Sequence, residues 1–177
     1  MSRLIAGVAV GALLATTSAC SGSAGPGTKS PAGTEHGLLG GPAPDFSLST
    51  PSGQRVQLGD AKGKVAIVDF WATWCKPCKE SFPVYQRFAE QYPDELLVIG
   101  VSVDEGSDGI GAFATETGAR FPLVWDESQE VAKSYSPPSM PTSYLIDRQG
   151  IVRLVHAGFR PGDEEILAKE LAKLTAE

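Results

Sequence analysis

The chain has 177 residues, 42% of them apolar and 20% charged, with 15 Lys and Arg against 21 Asp and Glu. That length suits one domain of ordinary size, and a net charge of −6 lacks the basic excess from which a nucleic-acid footprint is built. Three cysteines are too few for a disulfide scaffold, so a cystine here serves as a reagent rather than a staple.

Residues 1–19 read as a secretory signal: Arg3 supplies the positive end, Leu4 to Leu14 an apolar stretch, and Ala15 to Ala19 a run of small residues. The stretch is too short for a convincing bilayer span. The run ends in Thr17-Ser18-Ala19-Cys20, which resembles a bacterial lipoprotein processing site with Cys20 as the lipidated first residue; Thr17 departs from the aliphatic residue usual there, and the alternative is plain secretion. Ser21 to Pro44 is rich in Gly, Ser, Ala, Pro and Thr and has too little apolar surface to offset chain entropy. Residues 20–41 are therefore expected to be a lipidated cysteine and flexible tether, with His36 as a solvated bystander, and residues 42–177 the folded domain.

Within that domain Phe46 to Leu48 and Arg55 to Leu58 flank Pro51-Ser52-Gly53, a hairpin pattern. Lys64 to Trp71 is a nearly continuous apolar, β-branched run and reads as a strand buried on both faces. Lys76 to Tyr92 has helical apolar spacing that continues through Pro83, where a kink is expected. A second buried strand, Leu96 to Val103, follows. Ser107 to Thr117 reads as a short helix, Phe121 to Trp125 as a strand and Ser128 to Tyr135 as another helix. Thr142 to Asp147 and Ile151 to His156 form a hairpin, and Asp163 is expected to cap a terminal helix reaching Leu174. Buried strands alternating with helices imply an α/β domain, a mixed sheet with helices on both faces.

One constellation carries chemistry: Trp74-Cys75-Lys76-Pro77-Cys78, with both domain cysteines three apart at a strand-to-helix junction. A helix N-terminus presents unpaired N–H groups and a positive dipole end, which stabilise a thiolate. Cys75, just before the helix, is therefore the expected nucleophile, with its pKa lowered. Cys78, one turn later, can attack the mixed disulfide and release the reduced partner. Pro77 fits the first turn, where no hydrogen bond is lost. Lys76 either favours the thiolate further or is a solvated surface lysine. A closed zinc site would need two more ligands, and only His156, expected on a strand surface, is on offer in the domain. No metal or cofactor beyond the cysteine pair is implied. Gly106 to Gly111 follows a strand but reads GxxGxG rather than a dinucleotide fingerprint, so a loop is expected. Glu164 and Glu165 read as surface acids favoured by a helix dipole.

The WCKPC motif after VDFWAT resembles the thioredoxin superfamily, and residues 42 to 175 resemble its secreted TlpA/ResA-like branch: the leading APDFSL hairpin, FWATWC, VIGVSVD, an extra segment near residues 105–125, and MPTSYLIDRQG. The resemblance implies a thioredoxin-like three-layer αβα sandwich with a central insertion. It implies that Pro141 is cis beside the cysteine pair, with the backbone of Met140 pairing with an extended substrate and Trp74 walling the groove; the alternative is a trans proline among the additional Pro137 and Pro138. Asp69 stands in an apolar strand, where an ionised carboxylate is costly. The resemblance makes it the aspartate behind the second cysteine that assists its deprotonation, with Gly100 where thioredoxin carries a lysine; the alternative is an acid satisfied by local hydrogen bonds.

Together these features predict a membrane-tethered extracytoplasmic thiol-disulfide oxidoreductase that reduces protein disulfides, as in cytochrome c or copper-site maturation. Its expected partners are a disulfide-containing protein, a membrane electron donor and the membrane through its lipid; it is expected to be a monomer. Two other functions fit the same fold. A peroxiredoxin-like peroxidase needs a TxxC with a supporting arginine, but Thr73 stands two residues before Cys75. A copper chaperone would use Cys75 and Cys78 as soft ligands, although copper-binding relatives use CxxxC with a histidine.

Overall fold

A computed structural model describes residues 36–177; the proposed signal and Cys20 lie outside the described residues. Seven strands form one sheet in the order β2-β1-β5-β4-β3-β6-β7. They are β1 (Ser47–Ser49), β2 (Arg55–Gln57), β3 (Val65–Trp71), β4 (Leu96–Ser102), β5 (Leu123–Trp125), β6 (Thr142–Ile146) and β7 (Val152–Ala157). The helices are α1 (Lys76–Gln91), α2 (Ile110–Thr117), α3 (Glu130–Tyr135) and α4 (Asp163–Ala176). β3, β4 and β5 run parallel, whereas β6 pairs antiparallel with both β3 and β7, so the sheet is mixed as expected.

β3 is buried along its whole length because it is central and covered on both faces. Val65, Ile67 and Trp71 pack under α1, α2 and α4, against Phe82, Phe113 and Leu167. Ala66, Val68 and Phe70 face the other layer, with Phe46, Tyr135 and Tyr144. This alternation puts Asp69 on the α1 side, the side that carries Cys78 and Tyr85.

Several local details differ from the sequence expectation. Leu58 is not strand but opens a short 3-10 turn, Leu58–Ala61. Helix α1 runs from Lys76 to Gln91 as one element with Pro83 inside it, the missing N–H being tolerated where packing of Phe82, Val84 and Tyr85 holds the helix to the sheet. Asp163 is not the cap of α4: Gly162, at φ 96°, occupies the capping position, and the Asp163 carboxylate instead accepts from the Arg160 N–H at 2.8 Å. Glu164 is paired with Arg87 of α1 at 2.6 Å, joining two helices rather than standing alone.

His36 is no bystander. Its Nε2 lies 3.2 Å from the Ser136 carbonyl and 3.3 Å from the Tyr144 hydroxyl, with its ring edge-on to Tyr144. Behind it, Leu38 packs against the second core cluster, the Gly40 N–H donates to Val152 O at 2.8 Å, and the Val152 N–H donates to Gly41 O at 2.9 Å. Residues 36–41 thus dock on the domain, although their composition resembles a tether. His156 also departs from a surface role: its side chain is 11% exposed, and Nε2 sits 3.0 Å from Asp163 Oδ2. That approach is not an aligned hydrogen bond, because Nε2 has no partner of good geometry.

Candidate active site

β3 ends at Trp71, and the loop Ala72 to Trp74 delivers Cys75 to the N-terminus of α1. Cys75 is the N-cap residue, with extended backbone, and its Sγ accepts from the Cys78 N–H at 3.3 Å. The two cysteines are joined by a disulfide, their Cα atoms 5.3 Å apart. Cys78 is fully buried and Cys75 almost so. One turn of helix therefore places the inner sulfur under the protein and the outer one at its rim, where the unpaired N–H groups of the first turn favour negative charge. Lys76 is exposed beside them.

The loop is held from behind. The Asp104 carboxylate accepts from the Thr73 N–H at 2.9 Å, from the Thr73 hydroxyl at 2.8 Å and from the Ser102 hydroxyl at 2.8 Å. Trp71 packs between Phe82 and Phe113, whereas Trp74 is 71% exposed, the largest apolar surface beside the cysteines.

β6 brings in the second loop. Its Thr142 pairs with Phe70 and its Ser143 with Asp69, so the residues just before it emerge at the end of β3 that leads to Cys75. The Met140–Pro141 peptide is cis. Thr142 Oγ1 donates to Ser139 O at 2.7 Å, and the Pro141 carbonyl accepts from the Gly158 N–H at 2.7 Å. Met140 is half-buried and packs on the cluster that contains both cysteines.

Asp69 is fully buried, and burial pushes its carboxyl up to about 8, against the opposing pull of the Ser143 hydroxyl and of Tyr85 behind it. Ser143 Oγ donates to Asp69 Oδ1 at 2.7 Å, and the Tyr85 hydroxyl is hydrogen-bonded to the same Ser143 oxygen. Asp69 Oδ2 is buried without a partner. Gly100 lies opposite Asp69 in the register. A Cβ there would come within 2.7 Å of Leu123 Cδ2 and 3.0 Å of Trp71 Nε1, so position 100 has no room for a side chain opposite Asp69.

Ser143, Tyr85 and Asp104 were not singled out by the sequence, and Thr73 was noted only as out of place for a peroxidase motif. Ser143 carried a faint signal, as a polar residue in an apolar strand directly after the proline loop, and Tyr85 another, lying two helical turns from Cys78 on the same face. Thr73 and Asp104 are 31 positions apart, and no local pattern connects them. His156 and Glu164 stay with α4 and its neighbours. Among the described residues no group of three or more His, Cys, Asp or Glu side chains could hold a metal ion, and no helix is long and apolar enough to cross a membrane.

Comparison with known proteins matches residues 39–155 to the AhpC/TSA family. The chain is 36% identical over 131 residues to the thiol-disulfide oxidoreductase ResA of Bacillus subtilis, covering 72% of each chain. It is 39% identical over 119 residues to the thioredoxin-like protein YneN of the same organism, covering 66% of this chain and 69% of that one. Among solved structures it superposes on a putative thiol:disulfide interchange protein DsbE from Chlorobium tepidum with a TM-score of 0.73 at 37% identity, over 77% of this chain and 97% of that one.

Proposed function

The chain belongs to the AhpC/TSA family and is a thioredoxin-like thiol-disulfide oxidoreductase, and from that premise we propose that it is a membrane-tethered, extracytoplasmic reductase of protein disulfides. The observation that carries the reading is the Cys75–Cys78 pair closed across the first turn of α1 with the protonatable Asp69 buried on the same side of β3.

In the reducing direction the Cys75 thiolate attacks one sulfur of a substrate disulfide. A Cys75–substrate bond forms, the substrate disulfide breaks, and the displaced thiolate takes a proton from water. Cys78 then gives its proton to ionised Asp69 and attacks Cys75 Sγ; the mixed disulfide breaks, and the second substrate sulfur leaves as a thiolate. Two electrons have passed from the dithiol to the substrate, and Cys75–Cys78 is again a disulfide. The backbone beside Met140 and Pro141, with Trp74, forms the groove for an extended substrate segment. The pair requires no further cofactor, and a membrane reductase or thioredoxin-like donor restores the dithiol.

Residues 1–19 supply the export signal and Cys20 the lipid, so the domain works on the outer side of a membrane; the support is the sequence pattern. A compartment that oxidises thiols needs dedicated reductants wherever a thiol must stay free, as in haem attachment or copper-site assembly.

The test is the reduction potential of the Cys75/Cys78 couple in thiol redox buffers, read by tryptophan fluorescence. A value near that of thioredoxin, roughly −270 mV, supports a reductase; a value near that of DsbA, roughly −120 mV, reverses the electron flow and overturns it. Efficient peroxide turnover, or tight Cu(I) binding without disulfide exchange, would also count against it.

A further inference from the structure

The polar groups behind the cysteine pair form an ordered chain. Tyr85, fully buried on α1, is hydrogen-bonded to Ser143 Oγ on β6, and Ser143 Oγ donates to Asp69 Oδ1 on β3. A serine hydroxyl carries one proton, so once that proton is given to Asp69 the Tyr85 proton must fill the Tyr85–Ser143 bond. Burial keeps the Tyr85 proton in place, since its phenol is held well above its ordinary value. The chain therefore runs one way, from Tyr85 to Ser143 to the carboxylate. It occupies Oδ1 and leaves Oδ2, buried and without a partner, as the free oxygen of the acid.

We infer that Tyr85 and Ser143 are positioning residues for the redox step, orienting the Asp69 carboxylate through Oδ1 so that Oδ2 is the oxygen that takes up and returns the Cys78 proton. This rests on the reading of Asp69 as the base for Cys78. The groups that face the carboxylate fit the assignment. Cys78 and Tyr85 of α1 lie in the buried cluster on the α1 side of β3, the side of Asp69, and the register partners of Asp69 are Ser143 of β6 and Gly100 of β4, which has nothing to titrate. His156 of β7 lies beyond Ser143, in register with it and turned to Asp163 of α4, while α4 otherwise offers Leu167 and Leu171 to the core. No Lys or Arg stands among these groups to offset the charge on Asp69, so the Ser143 hydroxyl, backed by Tyr85, is its stabilising partner. Both hydrogen bonds favour the ionised acid.

In the step, the Cys78 S–H bond breaks and its proton binds Oδ2. The thiolate so formed attacks Cys75 Sγ, and the electron pair of the Cys75–substrate bond leaves with the substrate sulfur. In the opposite direction Oδ2 returns the proton to Cys78 as the disulfide opens.

The test uses the full-length chain and the variants Ser143→Ala, Tyr85→Phe, Ser143→Thr and Asp69→Asn. Two quantities are followed against pH: the Asp69 side-chain titration in the oxidised protein, by carboxyl NMR with Asp69→Asn identifying the signal, and the rate at which Cys78 resolves a preformed Cys75 mixed disulfide. Loss of one hydrogen bond to a charged carboxylate is expected to raise the Asp69 midpoint by roughly one pH unit in Ser143→Ala, less in Tyr85→Phe. The rate profile should move upward with it, so that resolution at pH 7 slows about tenfold in Ser143→Ala, and Ser143→Thr, which keeps the hydroxyl, should restore both. Tyr85→Phe leaves Ser143 in place and serves should Ser143→Ala fail to fold. Midpoints unchanged in both variants, while Asp69→Asn alters the rate profile, would overturn the positioning role and leave Asp69 as the base. A rate profile indifferent to Asp69→Asn would overturn the Asp69 reading itself, and this inference with it.

Discussion

Asp69 shows how one residue ties stability to redox chemistry. Its carboxyl is ordinary in the unfolded chain and raised to about 8 in the oxidised fold, so between about pH 4 and 8 the native state binds a proton that the unfolded state has lost. Stability is then full below pH 4, falls as pH rises through this window, and levels off above it. Chemical denaturation of the oxidised protein at pH 5 and pH 8.5 should show the loss, of order 4 kcal/mol across that interval. Asp69→Asn should flatten the dependence; an unchanged slope in the variant would assign it to other groups. Trp74 makes the opposite case. Being 71% exposed, it contributes little to folding, so Trp74→Ala should change stability by no more than about 0.5 kcal/mol. The expected effect is a higher KM for a protein disulfide with kcat nearly unchanged, and steady-state kinetics would reject the groove assignment if KM did not move.

At the level of elements, the site depends on how closely β3 and β4 lie beneath α1 and α2. At Gly100 of β4 the packing leaves no room for a methyl group, which would meet Leu123 of β5 and the Trp71 indole of β3. Gly100→Ala is expected to cost about 1–3 kcal/mol through overpacking, read from the denaturation midpoint. Phe113 of α2 seals Trp71 and Phe82 from above, and Phe113→Ala should cost about 3–5 kcal/mol. A variant as stable as the parent would show that the inserted helix is not part of the core. The strands and helices were legible in the sequence because each has its own period: β3 an unbroken apolar run, α1 apolar positions at helical spacing, β6 and β7 a Gly-bearing turn. Their ends were less so. Leu58 continues an alternating pattern yet turns into a 3-10 helix, and Asp163 has the chemistry of a cap yet stands one residue inside, because the left-handed conformation of Gly162 is what starts α4.

For the molecule as a whole, the boundary of the domain tests how far composition can be trusted. Residues 36–41 look like tether, but Leu38 and the backbone of Gly40 and Gly41 complete the edge at β7, and His36 reaches the loop that follows α3. A chain beginning at Pro42 should therefore be about 1–3 kcal/mol less stable than one retaining His36 to Gly41, by denaturant titration, whereas equal stability would return those residues to the tether. The chemistry of the pair was already written in the primary structure: two cysteines three apart, a proline between them and a helix beginning there form a local arrangement that needs only neighbouring residues. So was the order of strands and helices, since periodicity is local. The surroundings of the pair came from folding. Asp104 against Thr73, Tyr85 against Ser143, Ser143 against Asp69, and His36 against Tyr144 join residues 31 to 108 positions apart. Such contacts follow from strand order and register in the folded sheet, and those are set by the burial of all the elements together.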